Sequence, residues 1–142
     1  MANVTSLLRG ADDDVALRVP GGVSLTYRRV GELVAETAER LASLGVAPGA
    51  RVAMAYPNSP EAIVLFLGAA AVATACPLNP AYTETEFRFY FEDTGAEFLL
   101  LPPGDAAAAR NAVHPTMRLL AARIAGAGRL PMTTCTSAPG QA

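Results

Sequence analysis

Lysine is absent from the chain: all 11 basic residues among its 142 positions are arginines. This absence excludes the phosphate-binding loop GxxxxGK[ST], which needs a lysine amine beside the phosphates. The sequence also lacks the dinucleotide-binding pattern GxGxxG and the nucleophile pattern GxSxG. Neither a common phosphate cradle nor a common serine nucleophile is therefore predicted.

Cysteine, histidine and charge are scarce as well. The two cysteines, Cys76 and Cys135, form no CxxC pair, and the one histidine, His114, has no partner motif, so no zinc site is predicted. Cys76 lies in an apolar run and fits a small core residue. Charged residues make up 17% of the chain and the net charge is −2. Nothing favours a nucleic-acid partner, and the low charge indicates surface that something else normally covers.

The N-terminus shows no signal sequence. Met1 is followed by mostly polar residues and then by Asp12, Asp13 and Asp14, which argues against a secretory leader and a transit peptide. A reducing, cytoplasmic location is the expectation. The three adjacent carboxylates are compatible with a cation site, but a solvated loop is the simpler interpretation.

Hydrophobic residues make up 51% of the chain, and residues 51–82 form its most apolar stretch. Arg51–Tyr56 reads as a strand, Ala62–Ala75 as a helix that starts at the Ser59 cap, and Ala75–Leu78 as a second strand. A helix that is apolar on all sides is expected to be buried on all sides. The alternative is a membrane span, but the apolar run is broken by Pro77 and is shorter than the roughly 20 residues that a span needs.

Alternating elements surround this stretch. Val15–Val19 and Val23–Tyr27 predict a short hairpin, and an amphipathic helix follows from Thr26 to about Leu44. A capping-box pattern at Thr83 predicts a helix over 84–93, and 97–101 reads as a third sheet strand. Strands that alternate with helices predict an α/β fold: a layered, mostly parallel sheet with flanking helices, preceded by a short hairpin.

The pattern weakens after Gly104. Positions 105–112 and 116–126 are compatible with helices, no further strand is apparent, and 131–142 are expected to be disordered. The last 38 residues hold one acid, Asp105, and four arginines. We therefore predict three parts: an N-terminal segment (1–14), a partial subdomain (15–104) and a poorly ordered Ala/Arg-rich tail (105–142).

The remaining candidate sites are weak. The glycine pair in Gly126–Arg129 has no preceding strand, and the hydroxyl-rich run Thr133–Ser137 lacks flanking glycines and a lysine. The carboxylates of Glu92 and Asp93 fall at a helix end, where solvation is the ordinary outcome. The capped helix start at 57–60 is compatible with an anion site, although an ordinary N-cap is commoner. No catalytic, cofactor-binding or metal residue is predicted.

Residues 25–101 carry several short motifs in a fixed order. This stretch resembles the N-terminal subdomain of AMP-forming acyl-CoA synthetases, the adenylate-forming superfamily, in its oxalate–CoA ligase and coumarate–CoA ligase-like branch. The motifs that carry the resemblance are Leu25-Thr26-Tyr27, Leu44-Gly45-Val46, Pro48-Gly49, Arg51-Val52-Ala53, Pro57-Asn58-Ser59, Pro77-Leu78-Asn79-Pro80 and Tyr82-Thr83.

The resemblance implies that the full-length enzyme joins a carboxylate to ATP and that CoA then displaces AMP from the acyl-adenylate. It implies ATP, Mg and CoA for the full-length family, and none of them bound by this chain. The family's Ser/Thr/Gly-rich phosphate loop ends in Lys-Gly and lies beyond the matched subdomain, as does a second lysine. No functional residue carries over, because the matched motifs are turns, caps and core.

The chain is accordingly interpreted as an N-terminal fragment that is inactive by itself. One alternative is a non-enzymatic interaction module that pairs with the rest of a split ligase, and another is a small flavodoxin-like ligand-binding domain. The expected partners are a second copy or the missing remainder of the enzyme, with neither nucleic acid nor a membrane span. An uncovered apolar edge or patch is also expected.

Overall fold

A computed structural model describes residues 3–104, 106–124 and 131–135. A single 3-10 turn, Val4–Leu7, precedes an antiparallel hairpin of β1 (Val15–Arg18) and β2 (Ser24–Thr26). Gly21 turns the hairpin with φ of 70°, a conformation that glycine adopts without strain. The predicted hairpin is confirmed.

The main unit alternates helices and strands. In chain order it consists of α1 (Tyr27–Ser43), β3 (Arg51–Met54), α2 (Pro60–Val72), β4 (Thr74–Pro77), α3 (Glu84–Thr94), β5 (Phe98–Leu101), α4 (Ala107–Ala112), β6 (Arg118–Ala122) and β7 (Met132–Cys135). The predicted caps define the helix starts. Thr26 accepts a hydrogen bond from the Arg29 amide at 3.1 Å, and Thr83 forms a reciprocal capping box with Glu86.

The five strands of the main sheet are ordered β4-β3-β5-β6-β7. The first four are parallel, and β7 pairs with β6 antiparallel. In the central register Ala53 lies between Cys76 of β4 and Leu99 of β5. The predicted α/β class, with a mostly parallel sheet, flanking helices and a hairpin, is confirmed.

Strand β6 corrects the helix that the sequence suggested over 116–126. Leu120 packs into the core on one side of the sheet and Leu119 into the core on the other. Leucine and alanine favour a helix locally, but burial on both faces favours a central strand, and the tertiary contacts decide. The expectation of no further strand is therefore wrong, because β6 and β7 both extend the sheet.

The part of the chain after Gly104 is only partly described. The helix predicted over 105–112 is present as α4, whereas 132–135, expected to be disordered, form β7. Gly126–Arg129 and positions 136–142 lie outside the described residues. The division of the chain at residue 104 stays a prediction.

Helix α2 is buried on one side rather than on all sides as predicted. Val64, Leu65, Gly68 and Ala69 are buried, but Ile63 is 43% exposed. A helix that is apolar on every side is expected to be buried on every side, and the described residues of this chain bury only part of the surface of α2. Within the described ranges, no helix is both long and apolar enough to cross a bilayer.

Candidate functional site

The carboxyl ends of β3 and β5 form the candidate site. From β3 the chain crosses to β4 on one side, and it then returns to β5 and continues to β6 on the other. In open parallel α/β sheets, ligands bind outside the carboxyl ends of the strands at such a reversal of strand order. The loop after β3, residues 55–59, and the loop after β5, residues 102–104, therefore flank the expected binding crevice.

Tyr56 lies two residues beyond the end of β3 and is buried. Its hydroxyl donates a hydrogen bond of 2.7 Å to the carbonyl oxygen of Ala122, at the end of β6. Burial raises the pKa of the Tyr56 phenol well above its ordinary range, Glu61 adds to this rise, and Arg110 opposes it. The hydroxyl keeps its proton at neutral pH, so Tyr56 ties two strand ends together and does not act as a base.

Glu61 makes a second tie at the same edge. It lies in the first turn of α2, where a carboxylate is favoured by the helix dipole. One carboxylate oxygen accepts the backbone N–H of Ile124 at 3.1 Å. The segment that leaves β6 is therefore held to the start of α2, at the carboxyl end of the sheet.

Arg110 completes this edge from α4. Its guanidinium donates to the carbonyl oxygen of Pro102, in the loop after β5, at 3.0 Å. Tyr56, Glu61 and Arg110 thus each bind a backbone group of a neighbouring segment. Their arrangement fixes loop positions, and it provides no nucleophile with an adjacent base.

The side chains weighed from sequence do not converge on this edge. Asp12 and Asp13 are exposed, and they lie 3.7 Å and 2.8 Å from the guanidinium of Arg28. His114 uses Nδ1 to accept the Thr116 amide at 3.2 Å. The two aspartates share the guanidinium of Arg28. Within the described ranges, no group of three His, Cys, Asp or Glu side chains is placed to hold a metal.

The other candidates have structural surroundings. Cys76 is a free thiol in edge strand β4, half-buried, and burial raises the pKa of that thiol. Ser59 caps α2 by accepting the Ala62 amide at 3.3 Å, as an ordinary N-cap does. Glu92 lies at the end of α3 beside a groove of about 420 Å³ near the amino ends of β5 and β6, which His114 also lines. That groove lies at the opposite end of the sheet from the crevice.

Sequence reasoning missed Tyr56 and Glu61. Their hydrogen bonds join residues 66 and 63 positions apart in the chain, so no local pattern announces them. The one available signal was a tyrosine at the end of an apolar strand, because a buried phenol usually finds a hydrogen-bond partner.

Comparison with known proteins agrees with this scaffold. The profile of the AMP-binding enzyme family matches residues 6–135. An oxalate–CoA ligase from Arabidopsis thaliana is 41% identical over 116 residues, which cover 76% of this chain and 23% of the ligase. The chain therefore spans about a quarter of the length of this relative.

Two solved structures share the fold. ATP-bound MatB from Rhodopseudomonas palustris matches with a TM-score of 0.70 at 26% identity, over 90% of this chain and 26% of that one. The N-terminal domain of FACL13 from Mycobacterium tuberculosis matches with a TM-score of 0.71 at 29% identity, over 84% of this chain and 33% of that one. A family profile that matches almost the whole chain, with the same fold in both structures, shows that the chain belongs to the AMP-binding enzyme family.

Proposed function

We propose that the chain is the N-terminal scaffold of an AMP-forming carboxylate–CoA ligase and has no ligase activity by itself. The complete enzyme converts a carboxylate, ATP and CoA into acyl-CoA, AMP and pyrophosphate. The observation that carries the proposal is the combination of family membership with the polar ties at the crevice. Tyr56, Glu61 and Arg110 are engaged by backbone groups of this chain.

The chemistry of the reaction supports the same proposal. Phosphoryl and adenylyl transfer depend on charge placed on the phosphates, and lysine and Mg²⁺ commonly supply it. The chain has no lysine and no GxxxxGK[ST] loop, and it spans 23% of the oxalate–CoA ligase. ATP, Mg and CoA are therefore assigned to the complete enzyme, with the residues that hold them outside this sequence.

The test is carboxylate-dependent release of pyrophosphate by the purified 142-residue chain. We expect no release above the level seen with the heat-unfolded chain, with oxalate or an aliphatic acid as the carboxylate. Release that needs the folded chain and disappears in Glu61→Gln would contradict the proposal. Glu61→Gln serves as the probe because the amide oxygen keeps an acceptor for the Ile124 amide while the charge is removed.

A second candidate function is a non-enzymatic module that pairs with a separately encoded remainder of the ligase. The 43% exposure of Ile63 on α2 and the 60% exposure of Phe89 on α3 favour it, because these side chains offer apolar surface to a partner. Activity on mixing the chain with a polypeptide that spans the rest of a related ligase would support this function. Equal activity of that polypeptide alone would contradict it. A cytoplasmic location is part of both proposals.

A further inference from the structure

A second groove lies between the hairpin and the start of α2, next to the loop that follows β3. Its volume is about 380 Å³, within the range of about 300–1,000 Å³ found for small-molecule sites. Most of its lining is apolar and comes from the hairpin on one side and from the first turn of α2 on the other. The apolar lining residues are Leu17, Val19, Pro20, Pro60 and Ile63.

Three polar residues complete the lining: Arg18, Asn58 and Ser59. Ser59 is already occupied, because its hydroxyl donates to the Pro57 carbonyl at 2.9 Å and accepts the Ala62 amide. Among the described residues, neither Arg18 nor Asn58 has a hydrogen-bond or ion-pair partner through its side chain. The groove therefore has apolar walls, the guanidinium of Arg18 without an acidic partner, and the side-chain amide of Asn58.

No acidic residue lines this groove. Glu61, the acid of the first turn of α2, is turned to the Ile124 amide at 3.1 Å. Among the described residues, some other arginines do have a carboxylate partner. Arg28 lies 2.8 Å from Asp13, and Arg88 lies 2.6 Å from Glu84. The unpaired guanidinium and the apolar walls together select an amphipathic anion over a neutral or cationic apolar ligand.

We propose that this groove binds an aliphatic carboxylate, with its chain between the hairpin and α2 and its carboxylate on Arg18. Arg18 and Asn58 supply donors to the carboxylate oxygens, and Val19 and Ile63 cover the alkyl chain. The inference deepens the proposed function by naming an acid-binding surface on the chain. It involves binding only, with no bond made or broken.

The experiment is a titration of the isotope-labelled 142-residue chain with sodium octanoate, monitored by amide chemical shifts. We expect saturable shifts at Val19, Asn58 and Ile63. Acetate lacks the alkyl chain, and octylamine carries the opposite charge, so both are expected to bind at least about tenfold more weakly. Shifts confined to another region, or equal shifts with octylamine, would overturn the proposal.

Two variants separate the charge from the apolar walls. Arg18→Gln should weaken octanoate binding about tenfold, while Arg51→Gln, an equal charge change at the amino end of β3, should leave it unchanged. Ile63→Ser should weaken octanoate about threefold through lost apolar contact and leave acetate unaffected. Unchanged affinity in Arg18→Gln, with its amide spectrum showing the native fold, would contradict the proposal.

The binding titration contains neither ATP nor CoA. If octanoate fails to bind, the acid-binding groove is wrong and the pyrophosphate assay is unaffected. If the chain releases pyrophosphate, the scaffold proposal is wrong whatever octanoate does. If octanoate binds the chain but not its mixture with a polypeptide spanning the rest of a related ligase, the groove is a protein interface and the inference is wrong.

Discussion

The two sides of helix α2 differ in how completely they are covered. Leu65 and Val64 are fully buried against the sheet and against α1, whereas Ile63, on the same helix, is 43% exposed. Both sides are equally apolar in sequence. Contacts within these 142 residues therefore account for the apolar residues on the buried side of α2. The apolar residues on its exposed side suit contact with a partner surface.

The largest expected effect on stability is a difference between substitutions on the buried and the exposed side of α2. Leu65→Ala should lower the free energy of unfolding by about 3 kcal/mol, because the deletion leaves a cavity in a close-packed core. Ile63→Ala removes a similar volume from a half-open surface and should cost less than about 1 kcal/mol. Urea unfolding followed by circular dichroism measures both. Equal losses would show that the outer side of α2 is as well packed as the inner side.

The contact between α1 and α2 predicts the next effect. A Cβ at Gly68 would clash with side-chain carbons of Thr37, and Thr37 is fully buried. Gly68→Ala should therefore destabilise the chain by about 1–3 kcal/mol through overpacking. Gly31→Ala on α1 meets open space, so it should instead stabilise the chain by about 0.5–1 kcal/mol. A stabilising Gly68→Ala would mean that the helices are not in close contact.

The third effect is smaller than that of Leu65→Ala and concerns the hydrogen bond at the carboxyl ends of the strands. Tyr56→Phe removes the hydrogen bond to the Ala122 carbonyl and should cost about 1–2 kcal/mol at neutral pH.

The pH dependence of stability tests the role of the Tyr56 hydroxyl more specifically. Because the folded pKa of Tyr56 lies above its unfolded value of about 10, the folded chain holds the proton more tightly. Stability from this group is complete below that pH and falls as the pH rises above it. Unfolding measured between neutral and alkaline pH should show a smaller alkaline loss in Tyr56→Phe than in the parent chain. Identical alkaline slopes would contradict the account.

The sequence anticipated the parts of the fold that local chemistry decides. Ser59 and Thr83 identify helix starts through their caps, and the apolar runs locate β3, β4 and β5 to within a residue or two. Each of these patterns spans only a few residues, so it can be recognised in the sequence without knowledge of the tertiary structure. The motifs that resemble the family are of the same kind.

The parts that were missed depend on contacts distant in sequence. Residues 118–122 are a strand because they insert between β5 and β7, although leucine and alanine locally favour a helix. The hydrogen bonds of Tyr56 and Glu61 span 66 and 63 positions. The groove beside Arg18 arises only when the hairpin packs near the start of α2, and no local pattern indicates it.

Titration of the folded chain with MgATP by isothermal calorimetry tests whether these residues provide only a scaffold, with the groups that bind the nucleotide lying elsewhere. The predicted result is no saturable heat, with the parent chain and Glu61→Gln giving identical traces. Saturable binding of MgATP that is lost on substituting one of the chain's own side chains at the crevice would contradict the account.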